Sequence, residues 1–579
     1  MDKFDIGRLV PLAILCICCV PVAARPVLHD TVIRGGMIYD GSGSTPYAGD
    51  VVIDGDKITY VGPHKSFNAR RVVDAAHEAV APGFINMLSW ASESLLVDGR
   101  AVSDLFQGVT LEVMGEGDSM GPLTDAMAAR NRAHQSDLKY DIPWRTLGQY
   151  LEGLERKGIS PNVASFVGAA TVRDYVLGED DVQPTPVQLL AMRKLVRQAM
   201  NEGAVGVASA LIYAPGTFAK TPELTALATE AGLCGGIYIT HMRSEGADLL
   251  GAIDETISIA SASGAPAEIY HLKAAGRANW PSLDPAIARI NAARAAGVHL
   301  TTDMYPYTAA ATGFDAAMPH WILDGGVDAW IARLKDPVTR ARLLNEMRHP
   351  PQGYESAFAA AGPDGTLLLG FTQPALKPLQ GKTLAEVAKM RGKSAEDTLI
   401  DLVIEDSSRV SVAYTLMSED NLRKEVVLPY MSFSSDEAAP APEGVFLESV
   451  PHPRAYGSFA RLLATYVRDE QRVSLAEAIR RLTALPAANL SLERRGRLKA
   501  GYFADVVVFD PGRIQDHATY TNPNQLATGV HHVLVNGGVA LENGKATGAP
   551  TGRFVRGQGW SGRTGGGCRA SAGDWKWGG

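Results

Sequence analysis

Cysteine is scarce: five among 579 residues, with Cys16, Cys18 and Cys19 all in the first twenty. Only Cys234 and Cys568 remain, far apart in the chain. Neither a disulfide framework nor a paired CxxC zinc site follows from that spacing, so the fold is expected to need no disulfide. An excess of positive charge is lacking too. With 55 Lys+Arg against 63 Asp+Glu the net charge is −8, and no basic stripe is visible, which argues against a nucleic-acid partner. The N-terminal apolar run, LVPLAILCICCVPV, is too short for a comfortable membrane span. Lys3 and Arg8 precede it and the small residues Val22-Ala23-Ala24 follow it. The stretch therefore reads as a secretory signal peptide over residues 1–24, with an uncleaved anchor or a mis-called start as the alternatives. A secreted or periplasmic protein is expected, without stable membrane association once the signal is removed.

What is present is enough apolar residue, 46%, to bury a core larger than one ordinary domain. From Asp30 to Val80 short alternating runs are separated by Gly-Asp and Asp-Gly pairs, a hairpin pattern. The same texture returns in RRGRLKAGYFADVVVFDP and GVHHVLVNGGVALENGKA. Residues 30–81 and 491–557 are therefore read as one small β-sandwich domain built from both chain ends. Residues 82–490 between them alternate apolar strands with amphipathic helices. Candidate strands lie at 81–88, 109–116, 162–168, 204–209, GIYITH, AEIYHLK, 299–307 and 427–436. Eight such runs predict an α/β fold with a (β/α)8 TIM-like barrel. The stretch from about 320 to 424 is too long for a barrel connection, carries its own helices, and is read as an insertion over the barrel mouth. The glycine-rich end, 558–579, is expected to be disordered.

The chemistry should lie at the C-terminal strand ends. GIYITH closes at His241 and PAEIYHLKAAG carries His271, each after an apolar run and before polar or glycine-rich sequence. Two satisfied core histidines is the competing reading of that pair. The remaining ends add Glu116, Tyr213, Lys273, Tyr305, Tyr307 and Asp436. Two imidazoles and one carboxylate can hold zinc with an open fourth position, and a separate carboxylate, Asp436, can move protons.

Taken together, APGFIN, YITHMRSEG, YHLKAAGR, TDMYPYTA, FSSDEA, HPRAYGSF and GYFADVVVFDP resemble the amidohydrolase superfamily. They look most like its N-acyl-D-amino-acid deacylase (D-aminoacylase) branch, over Asp30 to about Gly557. The resemblance implies His241 and His271 as zinc ligands and Asp436 as the catalytic acid–base. It implies Lys273, Tyr213, Tyr305 and Arg454 as groups that hold the substrate. The chain departs from the family twice. A His-x-His pair usual at the end of the first strand is replaced by Leu88, Ser89 and Trp90, so a second metal position is not expected. A cysteine usual after the second strand is replaced within MGEGDSMGP, where Glu116 is the expected third ligand. Asp118 is the fallback, and Glu112, in mid-strand, is expected to point elsewhere. The implied activity is zinc-dependent cleavage of the linear amide of N-acyl-D-amino acids, with a small-molecule substrate and one zinc ion. Action on another C–N bond (a cyclic amide or a D-dipeptide) and a degenerate, non-catalytic barrel are the alternatives.

Overall fold

The computed structural model describes residues 27–351, 354–563 and 567–569; the signal-peptide expectation over 1–24 lies outside the described residues. Both ends of the chain enter one nine-stranded sheet. Leu28–Ile38, Tyr47–Asp54, Lys57–Gly62, Asn68–Asp74 and Ala79–Pro82 come from the N-terminal side, and Val506–Phe509, Val530–Val535, Gly538–Glu542 and Lys545–Ala546 from the C-terminal side. The join is antiparallel, Val506–Phe509 against Ala79–Pro82. Ile33, Val51, Ile53, Val80, Val506, Val508 and Leu534 share a buried cluster, the expected product of alternating strands whose inner faces are apolar.

Eight parallel segments follow in chain order. The first three are Phe84–Asn86, Val109–Met114 and Asn162–Ser165, the last continuing as Val167–Gly168. Gly206–Ala210, Ile237–His241, Ala267–Ile269, Leu300–Met304 and Met431–Phe433 complete the set. The last lies beside the first: Met87 N–H donates to the Phe433 carbonyl at 3.3 Å, Asp436 N–H to Leu88 at 2.9 Å and Trp90 N–H to Glu437 at 2.9 Å. The chain is thus α/β with a TIM-like barrel and an extra β domain. The helices between strands carry clear local signals. Pro186–Glu202 starts with a Thr185–Gln188 capping box and proline in its first turn, and ends at Gly203. It buries Leu189, Met192, Val196, Ala199 and Met200, a helical stripe turned to the barrel core.

Over the barrel, Ala309–Gly313, Thr366–Gly370 and Ser411–Thr415 form a separate antiparallel sheet with the last strand in the middle. This layer has its own core, around Trp330, Leu343, Leu368, Leu399 and Tyr414. It begins earlier than the expected 320, because Ala309–Gly313 leaves the seventh barrel strand to pair with Ser411–Thr415. Among the described residues no helix is long and apolar enough to cross a membrane.

The expectation of a fold without a disulfide fails at the C-terminal end. Cys234 and Cys568 form a disulfide across a sequence separation of 334 residues. Linear distance carried no hint of it, because both cysteines are brought together by tertiary packing. Within the segment expected as a disordered tail, the described residues 558–563 and 567–569 make defined contacts: Ser561 N–H donates to Asn201 at 3.0 Å and Arg569 N–H to Leu233 at 3.0 Å, while for 564–566 and 570–579 the expectation lies outside the described residues. Its few apolar residues hid an anchor made of backbone hydrogen bonds and one covalent bond.

The barrel interior is polar in places. Glu268 is fully buried and accepts from Thr301 at 2.8 Å, Asn489 at 2.9 Å and Ser432 at 3.2 Å. Burial and the neighbouring Asp303 push its carboxyl up to about 8, against those hydrogen bonds. Glu112 and Glu437 are raised to about 7, mainly by burial. For such acids the folded chain keeps a proton that the unfolded chain releases. Their stabilisation is complete below the ordinary carboxylate range and is lost as pH rises through about 7 to 8. We therefore expect the protein to lose on the order of 1–3 kcal/mol between pH 5.5 and 8.5. Glu268→Gln should shrink that loss, and urea unfolding at the two pH values reads it. An unchanged pH dependence in the variant would remove Glu268 from the account.

Candidate metal centre

Three strand ends deliver the central group. His241 is the last residue of Ile237–His241, His271 follows Ala267–Ile269 by two, and Glu116 follows Val109–Met114 by two. Glu116 stands between Gly115 and Gly117, whose φ angles are +100° and +68°. A Cβ at Gly115 would sit 2.4 Å from the Phe166 carbonyl oxygen, and one at Gly117 2.5 Å from Ala210 Cβ. Only glycines let the chain turn there with the carboxylate facing inward. His271 and Asp436 also hold positive φ, 32° and 50°, uncommon for non-glycine residues and typical of sites where position outweighs backbone comfort.

Glu116 Oε1 lies 3.0 Å from His241 Nδ1 and 2.9 Å from His271 Nε2. The three ligand atoms lie within 4.8 Å of one another, and all three residues are buried. Burial raises a carboxyl, but the two imidazoles outweigh it and hold Glu116 well below the usual range. Burial and the Lys273 ammonium lower His271, yet Glu245 and Glu116 prevail and raise it to about 10. Two nitrogen donors and one anionic oxygen converging on one point suit a zinc ion with an open position. The fit extends behind the rings. Glu245 Oε1 is 2.9 Å from His271 Nδ1, and its other oxygen is 3.8 Å from His241 Nε2, a buried nitrogen with no hydrogen-bond partner among the described residues. A carboxylate behind the ligating imidazoles fixes tautomer and ring orientation. Of the alternative third ligands, Asp118 lies outside this group and accepts from Thr171 at 3.5 Å, and Glu112 accepts from Asn86 at 3.0 Å inside the barrel.

Asp436 adjoins the group from the eighth strand. Trp90 Nε1 is 3.1 Å from Asp436 Oδ1 and 3.1 Å from Glu116 Oε2. Burial pushes the Asp436 carboxyl up while the Arg454 guanidinium pulls it down. That guanidinium lies 2.7 Å from Asp436 Oδ2 and 4.5 Å over the Tyr305 ring, and it is buried rather than in a surface ion pair. Lys273 donates to Glu245 at 2.6 Å and lies 2.7 Å from His271 Nδ1, so its ammonium sits behind the imidazole. Tyr213 sets its ring 5.3 Å from that of His241, and its hydroxyl accepts from Thr312 at 2.8 Å. The Tyr305 hydroxyl is buried without a hydrogen-bond partner among the described residues. Eight of the residues singled out from the sequence thus stand around one point; Tyr307 does not join them, its hydroxyl donating to the Pro453 carbonyl at 3.4 Å and its ring facing His452 at 5.4 Å. Glu245 and Trp90 were missed as participants. The signal for Glu245 was its place four residues after His241 in THMRSEG; for Trp90 it was its place two after Leu88 at the first strand end.

Residues 448–540 match a family model described as the Amidohydrolase family. A D-aminoacylase of Alcaligenes xylosoxydans xylosoxydans is 30% identical over 530 residues, 91% of this chain and 97% of that protein. A D-aminoacylase structure, described by a binuclear metal centre with one-metal activation and second-metal attenuation, superposes with a TM-score of 0.76. It is 30% identical, over 91% of this chain and 100% of its own. The N-acyl-D-glutamate deacylase of Bordetella bronchiseptica, complexed with zinc and a phosphonate mimic of the tetrahedral intermediate, gives 0.76 at 27% identity. That match covers 92% of this chain and 100% of the other.

Proposed function

This chain belongs to the amidohydrolase family, in its D-aminoacylase branch, and from that premise we propose a zinc-dependent hydrolase that splits N-acyl-D-amino acids into a carboxylate and a free D-amino acid. The observation that carries the reading is the convergence of Glu116, His241 and His271 on one point, with Asp436 joined to Glu116 through one indole N–H.

Glu116, His241 and His271 would hold one zinc ion, which when bound polarises the acyl carbonyl and makes the attacking water more acidic. The rest is work for the protein's own groups. Glu245 keeps the His271 imidazole turned inward, and Lys273 fixes Glu245 by a 2.6 Å hydrogen bond. Asp436 takes a proton from the water and gives it to the leaving nitrogen. Arg454, at 2.7 Å, orients that carboxyl and pulls it back toward the ionised form against the effect of burial. Because the Tyr213 hydroxyl already accepts from Thr312, its own proton is free to donate to a substrate oxygen. The Tyr305 hydroxyl is likewise uncommitted, and with Lys273 and Arg454 it supplies donors for the free carboxylate of the amino acid.

Export to the periplasm or exterior is part of this proposal. It is supported by the signal-like N-terminus and by the Cys234–Cys568 disulfide, a bond that persists in oxidising compartments.

The test is a panel of N-acetyl-D-amino acids, their L enantiomers and a cyclic amide, assayed with zinc-loaded protein. We expect the D series to lead the L series by at least ~10-fold in kcat/KM. Equal rates on both hands, or cleavage of the cyclic amide alone, would overturn the assignment.

A further inference from the structure

Trp90 is an odd residue to find beside two carboxylates. Its side chain is not there to be buried, since it is 41% exposed. Its backbone is nonetheless locked: Trp90 N–H donates to Glu437 at 2.9 Å, and the preceding Ser89 N–H to Val113 at 2.9 Å. The first strand end is thus held between the second and the eighth, and the indole is aimed from a rigid support. Its single N–H is shared by Glu116 Oε2 and Asp436 Oδ1, both at 3.1 Å.

Two carboxylate oxygens that converge on one point from different strands ordinarily invite a cation. Here the point is taken by a group that can donate one hydrogen and cannot ligate a metal. Glu116 has turned its other oxygen to the imidazoles, so the two halves of this carboxylate serve different partners.

We propose that Trp90 stands in for a second cation: its N–H holds Glu116 and Asp436 in register and restricts the centre to one ion. The inference rests on the zinc-hydrolase reading above and goes beyond it by naming the residue that sets the stoichiometry. It makes Trp90 a positioning residue, acting through Glu116 and Asp436. It also predicts that the second-metal attenuation described for the related D-aminoacylase has no counterpart here.

The experiment is equilibrium dialysis of full-length wild type, Trp90→His and Trp90→Phe against excess zinc, repeated with cobalt for its visible spectrum. Wild type should stay at one ion per chain. Trp90→His, which exchanges the donor for a ligand, should rise to two. Trp90→Phe keeps the ring and loses the N–H. It should hold one cobalt ion with a shifted spectrum and lose about 10-fold in kcat with KM little changed, the size of effect seen when an orienting partner is removed. Two ions in wild type, or one ion in Trp90→His together with an unshifted Trp90→Phe spectrum, would overturn the role of Trp90 while leaving the hydrolase reading intact. Wild type that binds no ion would overturn both.

Discussion

Asp436→Asn is expected to cut turnover by about 10²–10⁴-fold, the usual yield of a positioned acid–base group, with zinc content and KM little changed. Asn is the right probe because the site constrains both backbone and shape. Asp436 sits at φ 50°, a left-handed conformation that Asn tolerates better than Ala. Its N–H is fixed to Leu88 at 2.9 Å, so the backbone should stay where it is. The amide oxygen can still accept from Trp90, which approaches Oδ1, or face the Arg454 guanidinium, which lies against Oδ2. What the variant cannot do is take up a proton. Ground-state binding should persist, since Tyr213, Lys273 and Tyr305 are untouched. Steady-state kinetics and metal analysis on the same preparation decide the matter. Turnover within tenfold of wild type would move the proton transfer to another group, and loss of zinc would make Asp436 a ligand instead.

The legibility of this fold follows from where its information sits. Strand-borne side chains are fixed by alternation and by strand ends, so His241, His271, Glu116 and Asp436 were readable as residues that leave apolar runs at one rim. GIYITH alone places its histidine, because five buried residues in a row form a strand enclosed on both faces. Loop-borne side chains carry no such rule. Glu245 reaches behind His271 only because the segment after His241 folds back over the barrel, a path set by tertiary contacts such as Ala275 N–H to the Glu245 carbonyl at 2.7 Å. Trp90 was visible as something that cannot bind zinc, and its positive role needed the distance to two carboxylates. Lys273 was expected to face the site from its strand period; its direct partners in the structure are Glu245 and His271. The disulfide and the early start of the insertion share one cause: each pairs residues too distant in sequence for any local pattern to announce.

Removing the third ligand should have the largest effect on the metal. Glu116→Ala is expected to weaken zinc binding by at least ~10²-fold, since apparent zinc free energies of about 10–16 kcal/mol divided among four ligands leave roughly 3 kcal/mol for each. Geometry gives the substitution little chance of rescue. Gly115 and Gly117 hold the turn closed on Phe166 and Ala210, which fixes the direction in which residue 116 points. The nearest one in sequence, Asp118, is outside the group, and Asp118→Ala should leave zinc unchanged. Alanine also leaves the raised imidazole of His271 without one of its two acidic partners, so both rings lose their common acceptor. Glu116→Gln separates charge from shape: it keeps the volume and the hydrogen-bonding reach, and its zinc affinity should fall between wild type and Glu116→Ala. Zinc titration against a competing chelator ranks the three variants. A Glu116→Ala protein that holds zinc as tightly as wild type, beside an Asp118→Ala protein that does not, would shift the third ligand by two residues. The same shift would undo the pairing through Trp90, since the indole would then bridge a carboxylate with no metal to hold.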